Sequence, residues 1–476
     1  MPASASASAG GHRPLGWSLA VLAFAQLIFA LDLNIVFVAL PEIGSGLGFS
    51  EQSLQWVVSA YTVFCGGFLL FGGRAADLLG QRRMFVLGLV LYAASSLAGG
   101  LAWSPGVIVV ARAVQGIGGA ILFPATLSLV NRLFEEGPRR NRALAVWGGA
   151  GASGLTLGSL LGGVLTDGFG WSAVFFVNVP LAGIVALAAL AVIPRDPPRA
   201  ARRSFDLPGA LTVTAGVTLL VYVLVQGPET GWGATPIVAA AVLSAILLAV
   251  FVLIETRSAD PLMPMRLLRN RSLVAGMSIT FIYMGSFGAL PYFLTVLFQD
   301  VMGFSALETG LAFIVPSLAI AAGTQLGERL ATRLTTRSTL LLGSAIGVVG
   351  TVAIGLETTA GYAALVPGLV VSGIGQGIVW TGMWIASASG VAAEEQGVAS
   401  GMASTTLNIG NAIGLAILIA IANAGIAGQE GEALRLVIAD GTRLAFHLSV
   451  LGIVLGGLVA LALPRRARGA AVQAAA

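Results

Sequence analysis

The sequence predicts an all-α integral membrane protein with fourteen transmembrane helices, and three observations carry that reading. Hydrophobic residues make up 57% of the 476 residues and charged residues only 10%, where a soluble domain carries about a quarter charged. Fourteen stretches are apolar over the roughly 20 residues that a helix needs to cross hydrocarbon. The basic residues, all 25 of them arginine, fall on alternate connections, which is the bias that orients membrane segments. The net charge of +4 therefore follows topology and does not point to nucleic acid.

The spans are expected at about 16–40, 53–73, 84–103, 106–130, 143–166, 171–193, 208–226, 235–254, 272–298, 307–326, 338–356, 361–386, 398–425 and 442–463. The first is too long for the 7–15-residue core of a cleaved signal peptide, so it counts as a span. With the N-terminus inside, 22 of the 25 arginines lie inside, Arg112 lies within a span, and only Arg435 and Arg443 lie outside. The expected location is the cell (inner or plasma) membrane, multi-pass, with both termini cytoplasmic.

Two charged, proline-bearing connections, 194–206 (PRDPPRAARRSFD) and 255–271 (ETRSADPLMPMRLLRNR), bracket just two helices. The expected organisation is a disordered cytoplasmic N-terminus (1–15) and a six-helix bundle (16–194). A linker with two inserted helices (195–255) and a cytoplasmic loop (256–271) follow, then a second six-helix bundle (272–464) and a tail (465–476). The bundles echo each other: 73–83 (GRAADLLGQRR) and 327–337 (GERLATRLTTR) occupy the same place in each. Two related halves around a midplane site form a transporter arrangement. The single Cys65 excludes a disulfide. No nucleotide-binding loop, metal-ligand cluster or nucleophile–base pair is present, so no catalytic residue, metal or cofactor is expected.

Two formal charges lie deep in spans: Asp32 in the first and Arg112 in the fourth. An ionisable group in hydrocarbon costs about 2.5–3.5 kcal/mol on insertion scales and marks function by default. Counted from the outer helix ends they sit at about 12 Å and about 9 Å depth, close enough to meet. Asp32 is the expected proton carrier, modulated by Arg112. His447 is a second titratable candidate with packing as its plainer reading. Glu394 and Glu395 are expected to be solvated, with an auxiliary proton exit as the alternative.

A solute cavity between the halves should be apolar with a few polar groups. The candidates are Gln26, Asn34, Tyr61, Tyr283, Tyr292, Trp380, Trp384, Asn408 and Asn411. Trp380 and Trp384 are one turn apart and share a face suited to a flat aromatic ligand. No other acid lies deep in a span, so a neutral, zwitterionic or singly charged amphiphile is expected.

Four motifs remain. The first span carries LDLNIVFVALP from Leu31, similar to L-D-x-T-I-V-N-V-A-L-P. The 73–83 loop is similar to G-x-L-a-D-r-x-G-r-k. There Asp77 can take bonds from a helix N-terminus, and Arg82 and Arg83 can pair across the halves. Arg112-Ala-Val-Gln115-Gly-Ile-Gly118 is similar to R-x-x-Q-G-x-G, and Gly154, Gly158, Gly162 and Gly163 follow G-x-x-x-G-P-x-x-G-G with Ser159 in place of proline. Residues 171–180 (WSAVFFVNVP) are similar to W-R-W-x-F-x-x-N-x-P and read as an interfacial structural element.

Together, over about 16–464, these motifs resemble the major facilitator superfamily, most closely its fourteen-helix drug:proton antiporter family. The resemblance implies the major facilitator fold and proton coupling through Asp32 and Arg112. It makes Gly73, Asp77, Gly80, Arg82 and Arg83 a cytoplasmic gate latch, and the helix 5 glycines a close-packing face. The implied function is proton-coupled export of amphipathic drugs or natural-product antibiotics by alternating access. Partners are then a small amphipathic substrate, protons and the bilayer, with a monomer the simplest state. Ser159 keeps a metabolite symporter or uniporter as the alternative, and a non-transporting membrane sensor is the alternative of another class.

Overall fold

The computed structural model describes residues 15–49, 51–54, 56–196, 206–258, 261, 263–422 and 431–464, and among them every regular element is a helix. The expected terminal segments and most of the first linker lie outside the described residues. The first bundle's helices are α1 (Leu15–Leu47), α2 (Trp56–Leu79), α3 (Gln81–Gly100), α4 (Pro105–Leu133), α5 (Pro138–Phe169) and α6 (Asn178–Val192). The inserted pair is α7 (Leu207–Thr230) and α8 (Thr235–Arg257). There follow α9 (Arg271–Ser286), α10 (Ile314–Arg333), α11 (Thr336–Leu356), α12 (Tyr362–Ala388), α13 (Gln396–Ala422) and α14 (Gly431–Ala460). Among the described residues thirteen runs are long and apolar enough to cross a membrane, and the 32-residue, glycine-rich α5 is a further long helix.

Several helices outrun their apolar cores. The first apolar stretch was expected to end at 40, whereas α1 continues to Leu47. Hydropathy marks where side chains stop favouring hydrocarbon, and the backbone ladder is free to continue beyond that depth. Between α2 and α3 the turn is a single residue, Gly80, at φ 103°, a conformation that only glycine adopts without cost.

Packing repeats between the halves. α1 lies along α5, α4 packs on α2 and α3, and α6 rests on α3 and α1. In the same way α9 lies along α13, α12 packs on α10 and α11, and α14 rests on α11 and α9. The halves meet at two seams, α5 against α10 and α2 against α13. The inserted pair breaks this symmetry: α7 packs on α2 and α13, and α8 packs on α7, so it sits at one seam alone.

Small residues set these distances, because without a hydrophobic force between helices close backbone approach supplies the attraction. A Cβ at Gly154 would collide with the Leu27 carbonyl oxygen, and one at Gly158 with that of Leu31. At Gly162 it would lie 2.9 Å from the Ile35 oxygen. Gly410 and Gly414 press α13 on Phe281 and Gly285 of α9 in the same manner. Gly163 does not belong to this face, for nothing lies within 4 Å of its Cβ position. One residue past Gly162, it is turned about 100° off the four-residue stripe.

Candidate functional site

The α1–α5 stripe places Asp32 beside α4, where Arg112 Nη1 donates to Asp32 Oδ2 at 2.7 Å. The two side chains are sealed from solvent, with Asp32 0% and Arg112 1% exposed. Arg112 Nε donates to the Val57 carbonyl of α2 at 2.9 Å, and its guanidinium lies 4.4 Å over the Tyr61 ring. Asp32 Oδ1 accepts from Gln115 Nε2 at 2.9 Å and from Asn178 Nδ2 at 2.7 Å. Gln115 Oε1 takes a further bond from Arg112 Nη1 at 2.8 Å, and Gln115 Nε2 also donates to Ser96 Oγ at 2.8 Å. Five helices thus converge on one buried acid. Removing two charges from water is costly unless each lone pair and N–H is met, and here the carboxylate receives three bonds.

Asp32 and Arg112, which their similar depths allow to meet, are in direct contact. Gln115 and Asn178 were not among the expected site residues. Gln115 was visible within its motif, three residues from Arg112 and so on the same helix face. Asn178 sits in a segment whose pattern reads as interfacial, though a buried amide in an apolar helix must find a partner. Tyr61 lies under the arginine, away from the solute candidates described below.

A second cluster joins the halves at the arginine-rich face. Asp77, in the last turn of α2, accepts the backbone N–H of Gly397 at 2.9 Å and of Val398 at 2.8 Å, where α13 begins. A helix N-terminus offers unpaired donors and partial positive charge. Gly73 lets the two backbones approach, since a Cβ there would strike the Gly397 oxygen. Among the described residues the bonds of Arg82 and Arg83 stay within the first half, where pairing across the halves was expected. Their backbone N–H groups donate to Asp196, at 3.0 and 3.2 Å, and Arg132 Nη1 donates to the same carboxylate at 3.0 Å. The first N–H groups of α3 lack helical partners, and Gly80 has no side chain to cap them, so the carboxylate after α6 fills the role. The other seam carries neutral bonds, Asn141 Nδ2 to Thr332 Oγ1 at 3.3 Å and Gln325 Nε2 to the Ala145 carbonyl at 3.4 Å.

Glu395 also departs from expectation. It is 4% exposed, and both its oxygens are bonded by Arg266, at 2.6 and 3.0 Å. The 3-10 turn before α13 folds this carboxylate inward, while Glu394 is exposed. The two off-pattern arginines cap chain carbonyls: Arg443 Nε donates to Gly355 at 3.1 Å and Arg435 to Val301. His447 packs near Gly355.

Of the solute candidates, three come together. Trp380 stacks on Trp147 of α5, with centroids 6.4 Å apart, and meets Trp384 at 5.8 Å and Tyr283 at 5.6 Å. Trp147 and Phe123, which were not expected, complete the cluster. Phe123 lies 5.4 Å from Trp147 and 5.8 Å from Trp384. The indole N–H groups of Trp147, Trp380 and Trp384 are buried with no hydrogen-bond partner among the described residues. The others lie elsewhere. Gln26 faces Gly151, Asn34 packs on Gly158, and Tyr292 is 40% exposed beside Phe293. Asn408 donates to the Ser404 carbonyl of its own helix, and Asn411 is half-buried on α13. Ser159 lies within α5, but its side chain falls outside the described residues. No group of three or more metal-ligating side chains occurs among the described residues.

The family model described as Major Facilitator Superfamily matches residues 22–415. The cephamycin export protein CmcT of Amycolatopsis lactamdurans is 37% identical, covering 87% of this chain and 86% of its own length. The puromycin resistance protein pur8 of Streptomyces alboniger is 35% identical over 91% and 86%. The lincomycin resistance protein of Streptomyces lincolnensis is 32% identical over 94% and 91%. In fold, the human organic anion transporter MFSD10 covers 94% of this chain and 99% of its own, with a TM-score of 0.68 at 17% identity. The chain belongs to the major facilitator superfamily, and it is a multi-pass membrane transporter of small molecules, not an enzyme.

Proposed function

We propose that this transporter exports amphipathic drugs or natural-product antibiotics in exchange for protons, by alternating access between its two six-helix halves. The single observation that carries the reading is the sealed Asp32–Arg112 pair. The names of its antibiotic-exporting and antibiotic-resistance relatives support the substrate class. An acid beside a guanidinium favours the anion, and an acid in a dry site without that partner keeps its proton. Asp32 and Arg112 both belong to the first half. A rearrangement of α1 against α4 that parts them, driven by rocking of the halves, would therefore load the acid, and return of the arginine would release the proton.

On this reading the arginine-rich face is cytoplasmic and both termini lie there. The Asp77 latch and the Trp147–Trp380 stack hold that side closed. Their separation would expose Trp380, Trp384 and Tyr283 to a solute, with unpaired indole N–H groups ready for its acceptor atoms. A monomer supplies every element that this cycle needs.

The test uses inverted proteoliposomes with an acidic lumen and a panel of amphipathic antibiotics. Wild-type protein should accumulate substrate while protons leave. Asp32→Asn should lose that gradient-driven accumulation and still exchange labelled for unlabelled substrate. Unchanged accumulation in Asp32→Asn removes Asp32 from the mechanism, and proton flow in the same direction as substrate removes antiport.

A further inference from the structure

The carboxylate of Asp32 is well provided with donors, but a protonated Asp32 needs an acceptor for its new O–H. Gln115 Oε1 is engaged by Arg112, and Arg112 offers donors alone. Asn178 is different. Its Nδ2 donates to Asp32 Oδ1 at 2.7 Å and weakly to the Val174 carbonyl at 3.4 Å. Its Oδ1 is buried with no hydrogen-bond partner, although the residue is fully enclosed. An orphaned buried carbonyl bears its full desolvation cost with no bond to offset it, so its presence beside an ionisable group calls for a reason.

We infer that Asn178 is a positioning residue that serves Asp32 in both protonation states. Its Nδ2 donates to the carboxylate, and after a half-turn of its amide its Oδ1 accepts from the protonated acid. The inference rests on the Asp32 proton-carrier reading above. The half-turn exchanges two groups of nearly equal size, so it needs no extra room in a tightly packed wall. Each state leaves one amide atom unpaired, Oδ1 beside the anion and Nδ2 beside the acid. The two states therefore carry similar penalties, which suits a group that must both take and give a proton. The proton itself passes between water and Asp32, and Asn178 exchanges none. Among the described residues the other titratable or charged groups facing Asp32 are Arg112 of α4, Tyr61 of α2 and Tyr92 of α3, with Cys65 beside Tyr61. α5 and α6 present no charged group to Asp32 in any contact among the described residues.

The experiment is difference infrared spectroscopy between alkaline and acid pH on purified protein in lipid vesicles. Wild type is compared with Asp32→Asn, Asn178→Leu and Asn178→Ser. The carboxylic-acid carbonyl band that disappears in Asp32→Asn reports protonated Asp32. In Asn178→Leu that band should move to higher frequency, because hydrogen bonding to the acid is lost. In Asn178→Ser it should return towards the wild-type position, since a hydroxyl both donates and accepts. Asn178→Ala carries the same test if the leucine variant does not fold. A wild-type band position in the leucine or alanine variant overturns this inference and leaves the proton-carrier reading standing. If wild type shows no band that depends on Asp32, that reading fails and the inference falls with it.

Discussion

Asp77 in the first half is bonded to Val398 in the second at 2.8 Å, through a carboxylate oxygen and a backbone N–H at the start of α13. Its other oxygen takes Gly397 in the same way. Asp77→Asn keeps one acceptor and removes the charge. Charge-assisted bonds are roughly twice as strong as neutral ones, so about 1.5 kcal/mol should be lost and the closed-to-open ratio should fall about tenfold. Spin-label distances between the arginine-rich ends of α2 and α13 should broaden to longer values, and transport should slow. An unchanged distance distribution would show that this seam is held by something else.

Arg112→Leu asks what the buried pair contributes to stability. It would leave Asp32 enclosed with the Gln115 and Asn178 amides as its remaining donors. Removing one partner of a buried pair costs about 3–5 kcal/mol where the remaining charge stays uncompensated, and less where the acid takes up a proton as proposed above. The Tm in detergent should drop sharply, and Asp32→Asn added to Arg112→Leu should recover much of it. Equal Tm values for the single and double variants would contradict this account.

These relationships were unevenly legible in the sequence. Asp32 and Arg112 stood out because charge in hydrocarbon is rare and helix length fixes depth. The six-plus-two-plus-six order followed from the two charged, proline-bearing connections that bracket the inserted pair. Asn178 was not recognised because its partner lies 146 positions away, and a polar residue in an apolar run carries no mark of what it will meet. Asp196 was hidden for the opposite reason: it sits in a loop rich in charge, where capping a distant helix looks the same as solvation. Trp147 reads as one large residue in a glycine-rich helix, and only the α5–α12 contact shows that the glycines make room for its stack on Trp380. A Cβ at Gly148 would lie 2.6 Å from the Trp380 indole nitrogen.

The helix 5 glycines give a paired comparison. Gly158→Leu would drive a side chain into the Leu31 carbonyl one residue from Asp32, where backbone cannot yield. Overpacking of this kind costs about 1–3 kcal/mol, and displacement of α1 should also break the Asp32 contacts. Gly163→Ala meets open space and should match wild type in Tm and transport. The two variants, expressed side by side, should differ in Tm by several degrees and in gradient-driven uptake by tenfold or more. Similar behaviour would mean that α1 and α5 are not held by this stripe.

The inserted helices are tied to the latch by a short chain of bonds. Glu255, near the end of α8, accepts the Met263 N–H at 3.1 Å. Three residues on, Arg266 grips Glu395, which lies two residues before Gly397, an Asp77 donor. Arg266→Gln would leave the enclosed Glu395 without its bidentate partner. Arg266 is itself 65% exposed, so solvent screening limits the loss to about 1 kcal/mol. That corresponds to about a fivefold rise in local opening. Amide hydrogen exchange in peptides covering 396–402 should accelerate by that factor, with peptides from α4 and α12 unaffected. If exchange at Gly397 and Val398 stays at the wild-type rate, the loop after α8 does not hold the start of α13, and the inserted pair acts on the seam through α7 packing alone.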